Sequence, residues 1–276
     1  MNQLKRRAPG YLLNLLTLGV VLCSLFPLYW LISTSMKSKM EAFATPPVWF
    51  FAPNFKNYAA VLTTGGFLAS YRNSLIVALI TTVLAILFGV TSGYSLARNN
   101  TKAGNAMGMW IILARMIPPM GIVIPFYMIC RSLGWTDKYF TTSMVYMTMV
   151  LPFVTWLIMG FVKGVPKEIE EAAMIDGCSR TQTLLRVVIP MIVPGIATCA
   201  MFSFMMSWNE YFYALILTGK ETRPVSVAIQ GFMNSAGTNW GELCAASVLV
   251  VLPILVFTIL CQKGLVRGLT GGAVKG

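Results

Sequence analysis

Stretches without a single charged residue recur along the chain, divided by short polar segments. There are 29 uncharged residues between Arg7 and Lys37, 25 between Arg72 and Arg98, 24 between Lys138 and Lys163, 23 between Arg186 and Glu210, and 20 between Glu242 and Lys263. A helix needs roughly 20 apolar residues to cross a hydrocarbon core, so five intervals are long enough. A sixth candidate runs from about residue 107 to 130, interrupted by Arg115 and broken by Pro118, Pro119, Gly121 and Pro125. It is the weakest by hydropathy, yet without it the basic loops on either side would fall on inconsistent faces of the membrane. The pattern therefore predicts an all-α membrane protein with six transmembrane helices, at about residues 11–34, 73–97, 107–130, 140–162, 188–212 and 243–262, forming one transmembrane domain over 1–276. Soluble helices keep a polar face and do not stay charge-free over such lengths, which excludes a soluble helical domain.

The opening MNQLKRRAPGYLLNLL has the basic start of a secretory signal peptide. Its apolar run exceeds the usual length of about 7 to 15 residues, however, and no small-x-small cleavage site follows. A first span with its amino terminus inside fits better. Six spans put both ends on one face, together with the loops near Arg98 and around residues 163–186; that face carries 12 lysines and arginines against 8 on the other. The bias places both termini in the cytoplasm. The net charge of +12 is spread over these loops rather than gathered in a stripe. It calls for membrane lipids with anionic headgroups as partners and for no nucleic acid.

Several chemistries are missing. The chain has no histidine, which removes Ser/His and Cys/His nucleophile pairs, HExxH zinc sites and imidazole proton relays. There is no GxxxxGK[ST] phosphate loop, and the six cysteines show no CxxC spacing, so neither a metal site nor a disulfide framework is expected. The ionisable residues that fall within predicted spans are Arg115 and Glu210. Glu210 lies about twenty residues after the helix start near Val188, a rise of about 30 Å, flanked by Trp208, Asn209 and Tyr211. It is either an interfacial polar residue or, with Asn209, a group facing a water-filled path. Trp208, Asn209, Glu210 and Tyr211, together with Arg115, are the candidates for a substrate path; Arg115 alternatively snorkels to the cytoplasmic surface.

Two loops are long. The external segment after the first span carries Trp49, Phe50, Phe51 and Phe55, which suit an interfacial aromatic belt. The last external loop, GKETRPVSVAIQGFMNSAGTNWGE, is longer than a turn requires. Within the second span, GVTSG at 89–93 has the small-xxx-small spacing that lets helices approach closely.

The densest charge lies at 163–190, the loop before the fifth span. Glu168, Glu170, Glu171 and Asp176 there balance Lys163, Lys167, Arg180 and Arg186, so a polybasic lipid switch is excluded. Pro166 fits a first helical position, and the three glutamates fall in a first turn where the helix dipole favours anions. Ile169, Ala172, Ala173 and Asp176 recur on one narrow face. Gly177 permits the left-handed turn that ends this helix, and Ser179 with Gln182 makes a capping box for the next. The sequence predicts a short surface helix, a bend, and a second helix fused to the fifth span. Such a unit is suited to sit in a protein groove and pass on a push.

EAAMIDGCSRTQTLLRVVIP resembles the EAA loop of binding-protein-dependent ABC importer permeases. Glu171, Ala172, Ala173 and Gly177 stand at the offsets of that motif, with Val187, Val188, Ile189 and Pro190 closing it; Val and Ile in place of the usual Ile and Leu are mild departures. WNEYFYALILT and the terminal GLTGGAVKG resemble the sugar-uptake branch, in particular its smaller, maltose-type permease. The resemblance covers nearly the whole chain and implies the type I ABC importer permease fold in a bacterial cytoplasmic membrane. It further implies a non-catalytic subunit that pairs with a second related permease. Two ATPase subunits, which bind ATP and Mg, would act below, and a periplasmic or lipid-anchored solute-binding protein would deliver from above. By this resemblance 163–190 is the coupling loop, with Glu171, Ala172, Ala173, Ile175, Asp176, Gly177 and Pro190 docking the ATPase. The tail at 264–276 also reaches the ATPases, through Gly268, Leu269, Thr270 and Lys275. Asn234, Ser235, Ala236, Gly237 and Thr238 would probe the binding protein. The solute class is a sugar or related polyol, covering oligosaccharides, monosaccharides, sugar alcohols and glycerol phosphodiesters, and no cofactor is bound by this chain. A stand-alone secondary transporter or channel is the alternative.

Overall fold

The computed structural model describes residues 2–63, 66–99, 101–234 and 237–270. Packing groups the chain into two compact units: Met1–Phe67 with Ile229–Leu252, and Leu68–Ala228 with Pro253–Gly276. Among the described residues, five helical stretches are long and apolar enough to cross a membrane: Leu13–Ser35, Phe67–Arg98, Tyr139–Lys163, Arg180–Trp208 and Trp240–Cys261.

In the first unit, helix α1 (Asn2–Ser35) carries the first span, and its side chains from Leu13 onward are largely exposed. With no polar face to bury, this surface belongs against lipid. Its end is capped from further along the chain. Asn57, on α3 (Lys56–Thr63), donates from Nδ2 to the carbonyls of Ser35 and Lys37 at 2.9 and 2.8 Å, and the Ser35 and Tyr58 hydroxyls lie 2.7 Å apart. Between them, the one-turn helix α2 (Lys39–Ala42) opens with a capping box of Ser38 and Glu41. The aromatic segment does more than form a belt. Phe50 and Phe55 are exposed, but Trp30 and Phe51 flank the buried Lys37 (2% exposed), whose ammonium sits 4.5 and 5.1 Å from their ring centres.

The second unit is built on close approach of three long helices: α4 (Phe67–Arg98), then, after the pair α5 (Lys102–Ala114) and α6 (Pro119–Ser132), α7 (Tyr139–Lys163). After the loop helices α8 (Lys167–Ile175) and α9 (Arg180–Thr183) comes the third, α10 (Ile189–Trp208). Lipid tails are as apolar as leucine, so association within a bilayer rests on packing and interhelical hydrogen bonds. Gly89 and Gly93 supply both conditions on α4. A Cβ at Gly93 would lie 2.8 Å from Ile158 Cγ2 and 2.9 Å from the Thr155 carbonyl, one at Gly89 would strike Val154, and the Ser92 and Thr155 hydroxyls are 2.9 Å apart between them. Val150, Val154 and Ile158 of α7, with Val188, Ile192 and Cys199, form the buried core beside this contact.

The predicted third span is not one helix. Pro118 and Pro119 end α5 and start α6, leaving two helices of 13 and 14 residues with Arg115 in the turn between them. A proline donates no N–H and disfavours helix in the residue before it, so two in succession interrupt the ladder. The fifth span also differs from its predicted limits, beginning at Arg180 and ending at Trp208. Between α9 and α10, residues Leu184–Val188 form a π-helical turn in which Ile189 N–H reaches the Leu184 carbonyl. Pro190 explains it: the missing N–H and the ring at that position cannot accommodate a normal turn over Arg186.

Past α10 come α11 (Phe212–Leu217) and α12 (Val225–Ala228), then a 3₁₀ turn (Ile229–Phe232). The two-residue strands β1 (Met233–Asn234) and β2 (Gly237–Thr238) pair antiparallel, and α13 (Trp240–Thr270), with Pro253 inside, is the last described element. Two polar clamps hold segment 217–225 in place. Asn73 donates to the carbonyls of Glu221 and Arg223 and accepts from Tyr139, while Ser74 accepts from the Val225 N–H. Asp137, left-handed at φ 57°, accepts from the N–H groups of Gly219, Glu221 and Thr222 and from the Thr222 hydroxyl at 2.6–3.0 Å.

Candidate coupling and translocation sites

The loop at 163–190 folds as helix, bend and helix. Pro166 stands just before α8 rather than in it, so Glu168 and Glu170 occupy the first turn and Glu171 begins the second. The end of α8 is a Schellman motif. Gly177 has φ +88° and donates to the Met174 carbonyl, and Cys178 donates to Ala173. Nothing lies within 4 Å of where a Gly177 side chain would start, so the glycine is required by its backbone and not by crowding. The Ser179 hydroxyl then accepts from the Gln182 N–H, and the Gln182 side chain accepts from the Ser179 N–H. From Arg180 the chain runs without interruption into the span.

The two faces of α8 differ from the narrow face predicted at Ile169, Ala172, Ala173 and Asp176. Outward stand Glu168, Glu171, Ala172 and Ile175, at i, i+3, i+4 and i+7, with Ile175 86% exposed and Ile169 and Met174 also exposed. Inward, Glu170 is only 4% exposed and forms an ion pair with Arg98, accepting also from the Tyr94 hydroxyl at 2.9 Å. Arg98 donates a further bond to the Val165 carbonyl. Sequence reasoning counted Glu170 with its neighbours and Arg98 as a loop charge. The spacing of Tyr94 and Arg98, one turn apart at the end of α4, was the available signal.

The candidates for a path have unlike surroundings. Trp208 is 1% exposed, stacked 5.7 Å from Phe204 and edge-on to Tyr71 at 5.5 Å. Glu210 is 8% exposed, and its carboxylate accepts from the N–H groups of Tyr213 and Ala214 at 2.9 and 3.1 Å. The helix breaks at Asn209, and the first N–H groups of α11 would otherwise be orphaned away from water. Glu210 thus caps a helix inside the protein. Asn209 is exposed and Tyr211 half-buried. Arg115 is exposed in the break between α5 and α6, its guanidinium 5.0 Å from the Phe153 ring centre, and Phe153 meets Phe202 edge to face at 5.6 Å. Neither phenylalanine stood out among the apolar residues of the sequence.

Residues 85–271 match the family described as binding-protein-dependent transport system inner membrane component. The chain belongs to this family. It is similar to the diacetylchitobiose uptake system permease protein of Streptomyces coelicolor, 35% identical over 91% of this chain and 92% of that one. A second relative is the trehalose/maltose transport system permease protein of Thermococcus litoralis, 31% identical over 95% and 96%. Among solved structures, a bacterial ABC transporter involved in import of the acidic polysaccharide alginate shares the fold. Its TM-score is 0.75 at 24% identity, over 94% of this chain and 97% of that one. The protein is therefore a multi-pass inner-membrane permease subunit of a bacterial ABC importer, and not an enzyme itself.

Two predicted contact regions of this permease lie partly outside the described residues. Asn234 pairs with Gly237, and Met233 with Thr238; Ser235 and Ala236 between them lie outside the described residues. The backbone of α13 stays helical through Gly268, Leu269 and Thr270, beyond the predicted end of the last span, and Lys275 falls outside the described residues.

Proposed function

We propose that this permease conducts a sugar or related polyol across the cytoplasmic membrane and pairs with a second, related permease. Two partner ATPases would bind ATP and Mg, and a solute-binding protein would deliver to the turn at 234–238. The relatives' names, diacetylchitobiose and trehalose/maltose, support the solute class. The carrying observation is the outward face of α8. There Ile175 stands 86% exposed beside Ala172, Glu168 and Glu171, a small apolar patch edged by carboxylates that suits a protein cleft. Glu171, Ala172 and Ile175 enter a cleft of the ATPase. Gly177 sets the angle to α9, Asp176 closes α8, and Pro190 forces the π turn through which the push enters α10. The helical end of α13 at 268–270 extends the same contact. Arg115, Asn209 and Tyr211 face the solute's path, which Trp208 and Glu210 shape from within.

The test replaces Glu171 with Arg, and separately Gly177 with Val, in the complete importer. A non-glycine residue in a left-handed conformation costs roughly 1–2 kcal/mol, enough to change the α8–α9 angle. Both variants should lose co-purification of the ATPase and solute uptake while the permease keeps its melting temperature in detergent. Normal association with normal uptake would overturn the docking assignment.

A further inference from the structure

We propose that Arg98 and Glu170 are positioning residues that tie the coupling helix to the second span, so that one docking element moves two spans. The inference rests on the reading that α8 docks an ATPase. The link from α8 to α10 passes through Gly177, a glycine at φ +88° with no atom near its missing side chain. The link from α8 to α4 is different in kind. Glu170 presents both carboxylate oxygens to the last turn of α4. One accepts from Tyr94 at 2.9 Å, the other from Nε of Arg98 at 2.8 Å and from its Nη2, which also reaches the Val165 carbonyl at 2.9 Å. A forked, charge-assisted contact fixes orientation as well as distance. The side chains of Arg98 and Glu170 are only 15% and 6% exposed, so water and salt screen the pair little.

The other charges nearby do not compete for the pair. Lys167, Glu171 and Arg180 line an open hollow of about 760 Å³ beside it and stand toward solvent. The ion pair described here is also the one such pair among the described residues. Geometry thus makes α8 and the end of α4 one body and leaves Gly177 to absorb the change of angle toward α9. Closure of the ATPases would then displace α4 directly and α10 through the bend. Because α4 packs on α7 through Gly89 and Gly93, the displacement reaches the centre of the second unit.

The experiment uses the whole importer in liposomes and measures solute transported per ATP hydrolysed, with ATPase co-purification and melting temperature alongside. Glu170→Gln and Arg98→Lys should keep co-purification. Transport per ATP should fall about five- to hundredfold, the usual range of coupling between sites. The exchange Arg98→Glu with Glu170→Arg should recover part of that loss. A lower melting temperature with an unchanged transport-to-ATP ratio would make the pair merely structural and overturn the proposal. Failure of the docking reading looks different: there Glu171→Arg leaves association and uptake normal, whatever Glu170→Gln does.

Discussion

Asp137 shows how much a single carboxylate can organise outside the apolar spans. Desolvation pushes its pKa up, but the hydrogen bonds from Thr222, Glu221 and Gly219 outweigh that and hold it down at about 2. Folding depresses this pKa, so the stabilisation is complete above the unfolded value of about 3.9 and is lost as pH falls through about 2. Asp137→Asn isolates the charge, because asparagine tolerates the same left-handed backbone. The variant should be less stable by about 1–3 kcal/mol at neutral pH, read as a lower melting temperature in detergent. The difference from wild type should close between about pH 4 and pH 2. Nothing in the sequence marked this residue, since its partners lie more than 80 positions away. Glu210 illustrates the converse. Its place at the end of the fifth apolar helix was legible, but its role as a cap depended on a break at Asn209 that hydropathy does not register.

At the scale of elements, the small-xxx-small spacing at Gly89 and Gly93 was legible, and the structure supplies the partner, α7. Gly93→Ala inserts a methyl where Ile158 and the Thr155 carbonyl stand within 3 Å, and overpacking of this kind costs roughly 1–3 kcal/mol. Gly160→Ala, in α7 with nothing within 4 Å, should leave stability unchanged or raise it by up to about 1 kcal/mol through helix propensity. Thermal melting of the two purified variants checks the pair. The helix, bend and capping box of the loop at 163–190 were readable because each rests on local rules of spacing. What escaped was which way α8 faces. Adjacent residues on a helix point about 100° apart, so Glu170 and Glu171, equivalent in composition, part company: one is clamped by Arg98, the other left outside. Only the tertiary partner distinguishes them. The π turn ahead of Pro190 was likewise beyond a reading that anticipates a kink but not its form.

For the whole molecule, the proposed assembly draws its driving force from partner subunits. The chain has no phosphate loop and no histidine. Liposomes containing this permease alone should therefore show no solute flux above that of empty vesicles, where a stand-alone carrier would conduct. The break between α5 and α6 places a charge among apolar helices. Phe153 lies ten residues before the end of α7 at Lys163, a rise of about 15 Å; with Lys163 at the membrane face, the Arg115 guanidinium over its ring would sit about halfway into a core about 30 Å thick. Facing lipid there would cost roughly 2.5–3.5 kcal/mol even on the mildest scale. A cation–π contact returns about 0.5–2 kcal/mol. The deficit argues for water or a polar solute at the guanidinium, and Pro118 and Pro119 hold the helix open at that point. Arg115→Met, which keeps length and removes the charge, should lower uptake by about tenfold, the scale of one charge-assisted hydrogen bond of about 1.5 kcal/mol. Co-purification of the ATPase should be unaffected. Unchanged uptake, with a melting temperature raised by the better fit of methionine to lipid, would instead place Arg115 on the outside of the transporter.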